Sequence, residues 1–190
     1  DRNSMIDQSA VGEAIEQGQG SDAAMAAEAR ARLFARLAEL GIATRTVEHA
    51  PVFTVAESHE LERTIPGGHT KNLFLKDSKG VLFLVVAESD TRVDLKALAQ
   101  RLGAGRFSFG KPPLLLEVLG VTPGSVNAFA IMNDTAGIVT VVIDARLLRH
   151  DSVNGHPMTN TATTNIARDD LLRFIRATGH EPRIADLEGA

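Results

Sequence analysis

The chain has 190 residues, 44% of them hydrophobic and 23% charged, with no cysteine and a formal net charge of −4. Such a length supports one sizeable core, and the balance is that of a folded soluble domain rather than a fibrous or wholly disordered chain. The missing cysteines exclude disulfides, thiolate metal sites and a cysteine nucleophile, and the acidic balance argues against indiscriminate binding to nucleic acid.

Residues 1–22 are polar, without a sustained period, and read as an extension or loose helix outside the core; the domain proper is expected over 23–190. The start, Asp1-Arg2-Asn3-Ser4, has no basic-then-apolar leader pattern, and no apolar run approaches the roughly eighteen residues of a membrane span. A cytoplasmic protein with no membrane partner is therefore expected. From Ala23 to Leu40, Leu33, Phe34, Leu37 and Leu40 recur at helical spacing and Gly41 supplies a stop. Arg45–Glu48 reads as a short strand, and after His49-Ala50-Pro51 a short helix should begin near Thr54 or Val55.

The clearest signal is a hairpin. Asn72–Lys76 is apolar and strand-like, Asp77-Ser78-Lys79-Gly80 is a turn, and Val81–Ala87 is a second strand. Asp94 opens an amphipathic helix to Leu102, and Pro112 or Pro113 opens another to about Leu119. Ile138–Ile143 is β-branched, His150–Val153 and Met158–Thr163 should be strands about an Asn154-Gly155 turn, and Asp169–Thr178 is a closing helix stopped by Gly179. Helices and hairpins interleave without regular βαβ alternation, which predicts a single α+β domain with a mixed, partly barrel-like β-sheet and surrounding helices.

Generic motifs mostly fail. Gly105–Pro112 nearly spells a phosphate loop, but proline stands where the magnesium-binding hydroxyl is needed. Gly18-Gln19-Gly20 has no preceding strand. The six histidines show no metal-ligand spacing, so no metal or cofactor is expected. Ser125 is not in a GxSxG elbow. Lys71, Lys76, Lys79, Arg101, Arg106 and Lys111 fall in one central stretch; they are either scattered solvated cations or one basic patch.

Four separate segments combine into something more specific. His49-Ala50-Pro51-Val52-Phe53-Thr54, His69-Thr70-Lys71-Asn72-Leu73-Phe74-Leu75, Gly120-Val121-Thr122-Pro123-Gly124-Ser125-Val126 and Asn154-Gly155-His156-Pro157-Met158-Thr159-Asn160 closely resemble, in order and spacing, the YbaK and prolyl-tRNA synthetase-associated domain family. The nearest branch is the free-standing alanyl-tRNA(Pro) deacylases called ProXp-ala, and the resemblance spans about residues 28–185. It implies a hydrolase that removes alanine from mischarged tRNA(Pro), with the tRNA acceptor end and prolyl-tRNA synthetase as partners and no DNA.

Carried over by position, the resemblance makes Lys71 the family's functional lysine, holding the terminal phosphate or the carbonyl oxygen, with Thr70 and Asn72 beside it. The loop Gly124-Ser125-Val126 would cradle the substrate through its backbone, and the Gly67-Gly68 loop would be flexible enough to admit the acceptor end. His156 would contact the aminoacyl group or the adenosine, unless it is a structural turn histidine. In the family a hydroxyl of the terminal adenosine helps to activate water, so neither metal nor covalent intermediate is implied. Asn127 and Ala128 would continue the substrate-binding loop, where relatives usually continue Gly-Ser-Val-Thr-Pro, and losing that proline removes a fixed φ angle. A sibling editor for another mischarged tRNA, a non-catalytic tRNA or synthetase-binding module and a small-metabolite binder are the alternatives.

Overall fold

The computed structural model describes residues 8–52 and 54–188, with side chains from residue 22 onward except at Val55. Residues 1–7 of the expected extension and Phe53 of the first motif lie outside the described residues. The first helix, α1, runs Gln8–Glu39, well upstream of the expected Ala23. A glycine inside a helix costs only about 1 kcal/mol relative to alanine, so Gly18 and Gly20 do not stop it. Leu33 and Leu37 of α1 are buried, and Phe34 and Leu40 pack against the same cluster.

Strand β1 (Thr44–Glu48) leads to α2 (Val55–Thr64), whose Thr54 cap accepts a hydrogen bond from the Glu57 backbone N–H. The expected hairpin is β2 (Thr70–Asp77) and β3 (Leu82–Glu88), antiparallel, with Leu75 opposite Phe83. Its turn is fixed by Asp77, whose Oδ1 accepts from the Lys79 and Val81 N–H groups, and by Gly80 at φ +86°. Helix α3 (Leu95–Leu102) starts at an Asp94 cap and ends at Gly103 in the left-handed region. The three-residue β4 (Phe107–Phe109) follows, then α4 (Pro112–Leu119) and β5 (Val139–Asp144). The chain closes with β6 (Ser152–Gly155), β7 (Ala162–Ala167), α5 (Arg168–Ala177) and β8 (Arg183–Ala185).

Two sheets result, with orders β4-β2-β3-β5-β8 and β1-β7-β6. The larger is mixed, because β3–β5 and β5–β8 pair in parallel while β2 pairs antiparallel on both sides. The described residues form no closed barrel. The two sheets meet where Gly68, just before β2, bridges Val153 of β6. Strand β3 is buried on both faces: Leu82, Leu84 and Val86 enter the main core with α1, α4 and α5, while Phe83, Val85 and Ala87 face α3. A run of uninterrupted hydrophobics is what a doubly covered strand requires.

The expected Asn154-Gly155 turn is not one. Both residues lie in β6, and the reversal comes later, at His156–Thr161, so β7 begins at Ala162 rather than Met158. Local turn propensity is overridden by tertiary pairing, since the Asn154 N–H donates to the Gly68 carbonyl at 2.8 Å. Beyond it, Pro157 supplies no N–H for a ladder, and Met158 takes φ +67°, which a side chain other than glycine rarely adopts.

Candidate functional site

The mouth of β2 lies against β6 because two asparagines staple it there. The Asn154 side chain donates to the carbonyls of Pro66 and Gly68, and Asn165 of β7 donates to Pro66 O, Ser152 Oγ and Asn154 Oδ1. This corrects the expected role of Gly67 and Gly68. A Cβ on Gly67 would lie 2.6 Å from Ser152 Oγ, at a φ of +102°, and one on Gly68 would lie 2.7 Å from the His150 ring. The glycines permit close packing between sheets, and the loop they form is pinned by the hydrogen bonds of both strands.

Alternation along β2 then sorts the candidate residues. Thr70 and Asn72 share the face of Phe74, which belongs to the main core; Lys71 shares the opposite face with Leu73 and Leu75, on the α3 side. Lys71 and Asn72 therefore do not converge. Thr70 Oγ1 donates to the Asn154 carbonyl at 2.6 Å. Asn72 Oδ1 is buried and has no hydrogen-bond partner among the described residues. An unpaired buried acceptor is destabilising by about 1–3 kcal/mol, and in a native protein such an atom calls for an explanation.

His156 lies just past β6. Its Nδ1 donates to the Ala162 carbonyl at 2.9 Å, which leaves the lone pair of the neutral ring on Nε2. Burial lowers its pKa from the ordinary value, the Ala162 bond opposes that, and the neighbouring His49 lowers it further. The two rings stand 6.3 Å apart, and His49 Nε2 accepts from Thr163 Oγ1 at 2.8 Å once its Nδ1 donates to the Ala50 carbonyl. His156, Thr70, Asn154, Gly155, Thr163 and Glu62 of α2 line a cavity of about 90 Å³.

The loop from Pro123 to Ala128 approaches the same place from the other side. Pro123–Ser125 forms one 3₁₀ turn and Ala128–Asn133 a second. Asn127 is fully buried: its Oδ1 accepts from the Ala130 N–H, and its Nδ2 donates to the Ser125 carbonyl at 2.8 Å. That amide braces the loop from within. Ala128 is buried in the main core and Val126 packs against it.

The two loops meet at three points. Asn160 Nδ2 is 3.3 Å from where a Cβ on Gly124 would stand, a Cβ on Gly155 would be equally close to the Phe129 ring, and Asn127 Nδ2 lies 3.8 Å from Met158 Sδ. Ser125, with Thr122, Met158 and Met25 of α1, lines a second cavity of about 110 Å³. Thus Thr70 and His156 share one cavity, Ser125 opens onto another, and Gly124, Val126, Lys71 and Asn72 line neither.

Sequence reasoning missed Asn154, Asn165 and Thr163 as site residues. Their signal was weak: the asparagines are eleven residues apart, and only the antiparallel register of β6 and β7 places them opposite each other. Among the described residues no three His, Asp or Glu side chains converge to ligate a metal. A Thr178–His180–Asp134 chain, with contacts of 2.9 and 2.8 Å, has triad-like connectivity. His180 and Asp134 are buried and Thr178, half-buried, donates its hydroxyl proton to the Ile175 carbonyl, so the chain clamps the end of α5 to the entry of β5.

Comparison with known proteins gives one consistent result. The model of the aminoacyl-tRNA editing domain matches residues 49–174. A prolyl-tRNA synthetase associated domain-containing protein 1 from Danio rerio is 40% identical over 96% of this chain and all of its own length. The prolyl-tRNA editing protein ProX of Acetoanaerobium sticklandii is 35% identical over 84% of this chain and 98% of its own. The crystal structure of a proposed trans-editing enzyme for prolyl tRNA synthetase superposes with a TM-score of 0.67 at 22% identity, covering 85% of this chain and 98% of that one.

Proposed function

The chain belongs to the aminoacyl-tRNA editing domain family, and from that premise we propose that it is a cytoplasmic deacylase acting in trans to prolyl-tRNA synthetase on alanine mischarged to tRNA(Pro). The need for such an enzyme is physical. A pocket built for proline cannot strongly reject the smaller alanine, because the missing carbons change binding by only about 1–3 kcal/mol, and a second site restricted to small residues restores accuracy. A cavity of about 90 Å³ is far below the roughly 300–1,000 Å³ of ordinary ligand pockets, and suits the small end of a large substrate.

The observation that carries this reading is the unpaired Asn72 Oδ1. It lies on the same face of β2 as Thr70, which lines the cavity with His156. A buried acceptor without a donor is completed by a ligand N–H or O–H, and an aminoacyl adenosine offers both an ammonium group and a ribose hydroxyl. His156, neutral and with a lone pair on Nε2, orients the attacking water by accepting one of its protons in a hydrogen bond. Gly124, Ser125 and Val126 present backbone to the ester from the neighbouring loop, which touches the turn after His156 at Asn160, while Asn127 and Ala128 act through the shape of that loop.

The ester is already activated, so hydrolysis needs a positioned water and stabilisation of the developing oxyanion. Water oxygen bonds to the carbonyl carbon, the bond to the ribose oxygen breaks, and a water proton ends on that oxygen, releasing alanine and intact tRNA. Lys71, on the other face of β2, is assigned to the terminal phosphate rather than to the carbonyl oxygen. The test is deacylation of Ala-tRNA(Pro) and Pro-tRNA(Pro) by the wild type and by Lys71→Ala. Release of alanine alone, slowed in the variant, is expected; release from neither substrate overturns the proposal.

A further inference from the structure

Phe109 is the most exposed large hydrophobic side chain among the described residues, at 63%. A single exposed apolar residue is ordinary. Its surroundings are not. Phe109 ends β4, the free edge of the larger sheet, in register with Leu75. It lines a groove of about 570 Å³ with Ser108, Lys76, Lys111, Leu114 and Glu117. Lys79, in the hairpin turn, and Arg106, beside β4, add two more exposed cations nearby. None of Lys76, Lys79, Arg106 and Lys111 forms an ion pair among the described residues.

The carboxylates nearby offset only half of this charge. Asp77, buried and held by the backbone N–H groups of Lys79, Val81 and Gly105, stays ionised and is drawn to Lys79, and Glu117 is a second acid in the groove, so four cations face two carboxylates. In a chain with a net charge of −4 the local excess of cations is a specific placement. Arg101, also in the basic stretch, is not part of it, since its guanidinium binds the Asp186 carbonyl.

We infer that Phe109 is a stacking platform for a base in the single-stranded 3′ end of the RNA, with Lys76 and Lys111 neutralising the flanking phosphates; the inference rests on the RNA substrate proposed above. An aromatic ring among unpaired cations is the usual composition of a single-strand site, because every base has a π-face to offer and every nucleotide a phosphate. The position suits the same ligand that Lys71 would hold. Phe109 is paired with Leu75 and so shares the face of Lys71, whereas Lys76 and Ser108 lie on the opposite face and meet the groove at the β4 edge; four residues of strand span roughly 13 Å, so Phe109 is within reach of nucleotides preceding the acylated end. A protein strand adding to this edge fits less well: β4 offers only three residues of backbone, and lysines flank it, which discourages edge pairing.

Binding of two uncharged RNA hairpins of acceptor-stem sequence, one with a single-stranded 3′ tail and one blunt, tests the inference without requiring deacylation. Phe109→Ala is expected to weaken binding of the tailed hairpin roughly 5- to 150-fold, to leave the blunt hairpin unchanged, and to be rescued by Phe109→Tyr. Lys111→Gln should flatten the dependence of log affinity on log salt by about 0.7 for the tailed RNA. Tail-dependent binding that persists in a protein found inactive in deacylation would support this site while overturning the proposed activity. Equal affinity of wild type and Phe109→Ala for the tailed hairpin overturns the platform, as does a Phe109→Ala loss that is the same for both hairpins. Loss of self-association in Phe109→Ala, with RNA binding intact, overturns it in favour of a second copy of the chain.

Discussion

Asn154 holds the carbonyl oxygen of Gly68 twice, by its backbone N–H at 2.8 Å and its side-chain amide at 3.3 Å. Through this double contact the mouth of β2 is fixed against β6, so the strand that carries Thr70, Lys71 and Asn72 is positioned by a residue 86 places away in sequence. Asn154→Ala removes the amide from a 3%-exposed position and leaves the Pro66 carbonyl and the Asn165 amide short of a partner. It should destabilise the fold by about 2–4 kcal/mol, read as a lower midpoint in urea. Gly67→Ala, strained by its positive φ and by contact with Ser152 and Asn165, should lose about 1–3 kcal/mol. If the loop were free to move, as glycines in a sequence suggest, neither substitution would shift the midpoint.

How much of this was legible follows from the range over which each signal acts. The β2–β3 hairpin and the α3 cap were readable because Asp77 and Asp94 bond within four residues of themselves. The separation of Lys71 from Asn72 was readable too, since a strand alternates faces whatever it packs against. The Asn154-Gly155 pair was misread because its turn propensity is local, whereas Gly68 competes for its N–H from across the domain. Strands β4 and β8, three residues each, are too short to show a period. The fold and the family were thus visible in hydrophobic runs, caps and motifs. The asparagine staple and the groove beside Phe109 depend on register between strands, which no local pattern carries.

Asn72 offers a way to separate a binding role from a structural one. Its Oδ1 is buried without a donor, so Asn72→Leu, close in size and able to join the apolar cluster around Phe74, removes an unsatisfied polar group. Replacing such a group by an apolar one is neutral or stabilising. The midpoint in urea should hold or rise, by up to about 1–3 kcal/mol, while deacylation falls by at least tenfold. Stability and activity falling together would instead mark Asn72 as a packing residue.

His156 should set the acid limb of the activity. Burial, the largest influence, lowers its pKa below the ordinary value near 6.5, so the folded protein holds a neutral ring at pH 7 while the unfolded chain takes up a proton more readily. Between the depressed folded value and 6.5 the unfolded state therefore binds more protons, and stability from this group rises with pH. It is fully present above 6.5 and is lost as pH falls through that window. Protonation also removes the Nε2 lone pair that would orient water, so the deacylation rate should be level near pH 7.5 and decline below the ordinary histidine value. His156→Gln keeps an acceptor and a donor but cannot titrate: its urea midpoint should vary less between pH 5 and 7 than that of the wild type, and its rate, lower throughout, should lose the acid limb. An acid limb unchanged in His156→Gln would assign the titration to another group and leave His156 a turn histidine held by Ala162.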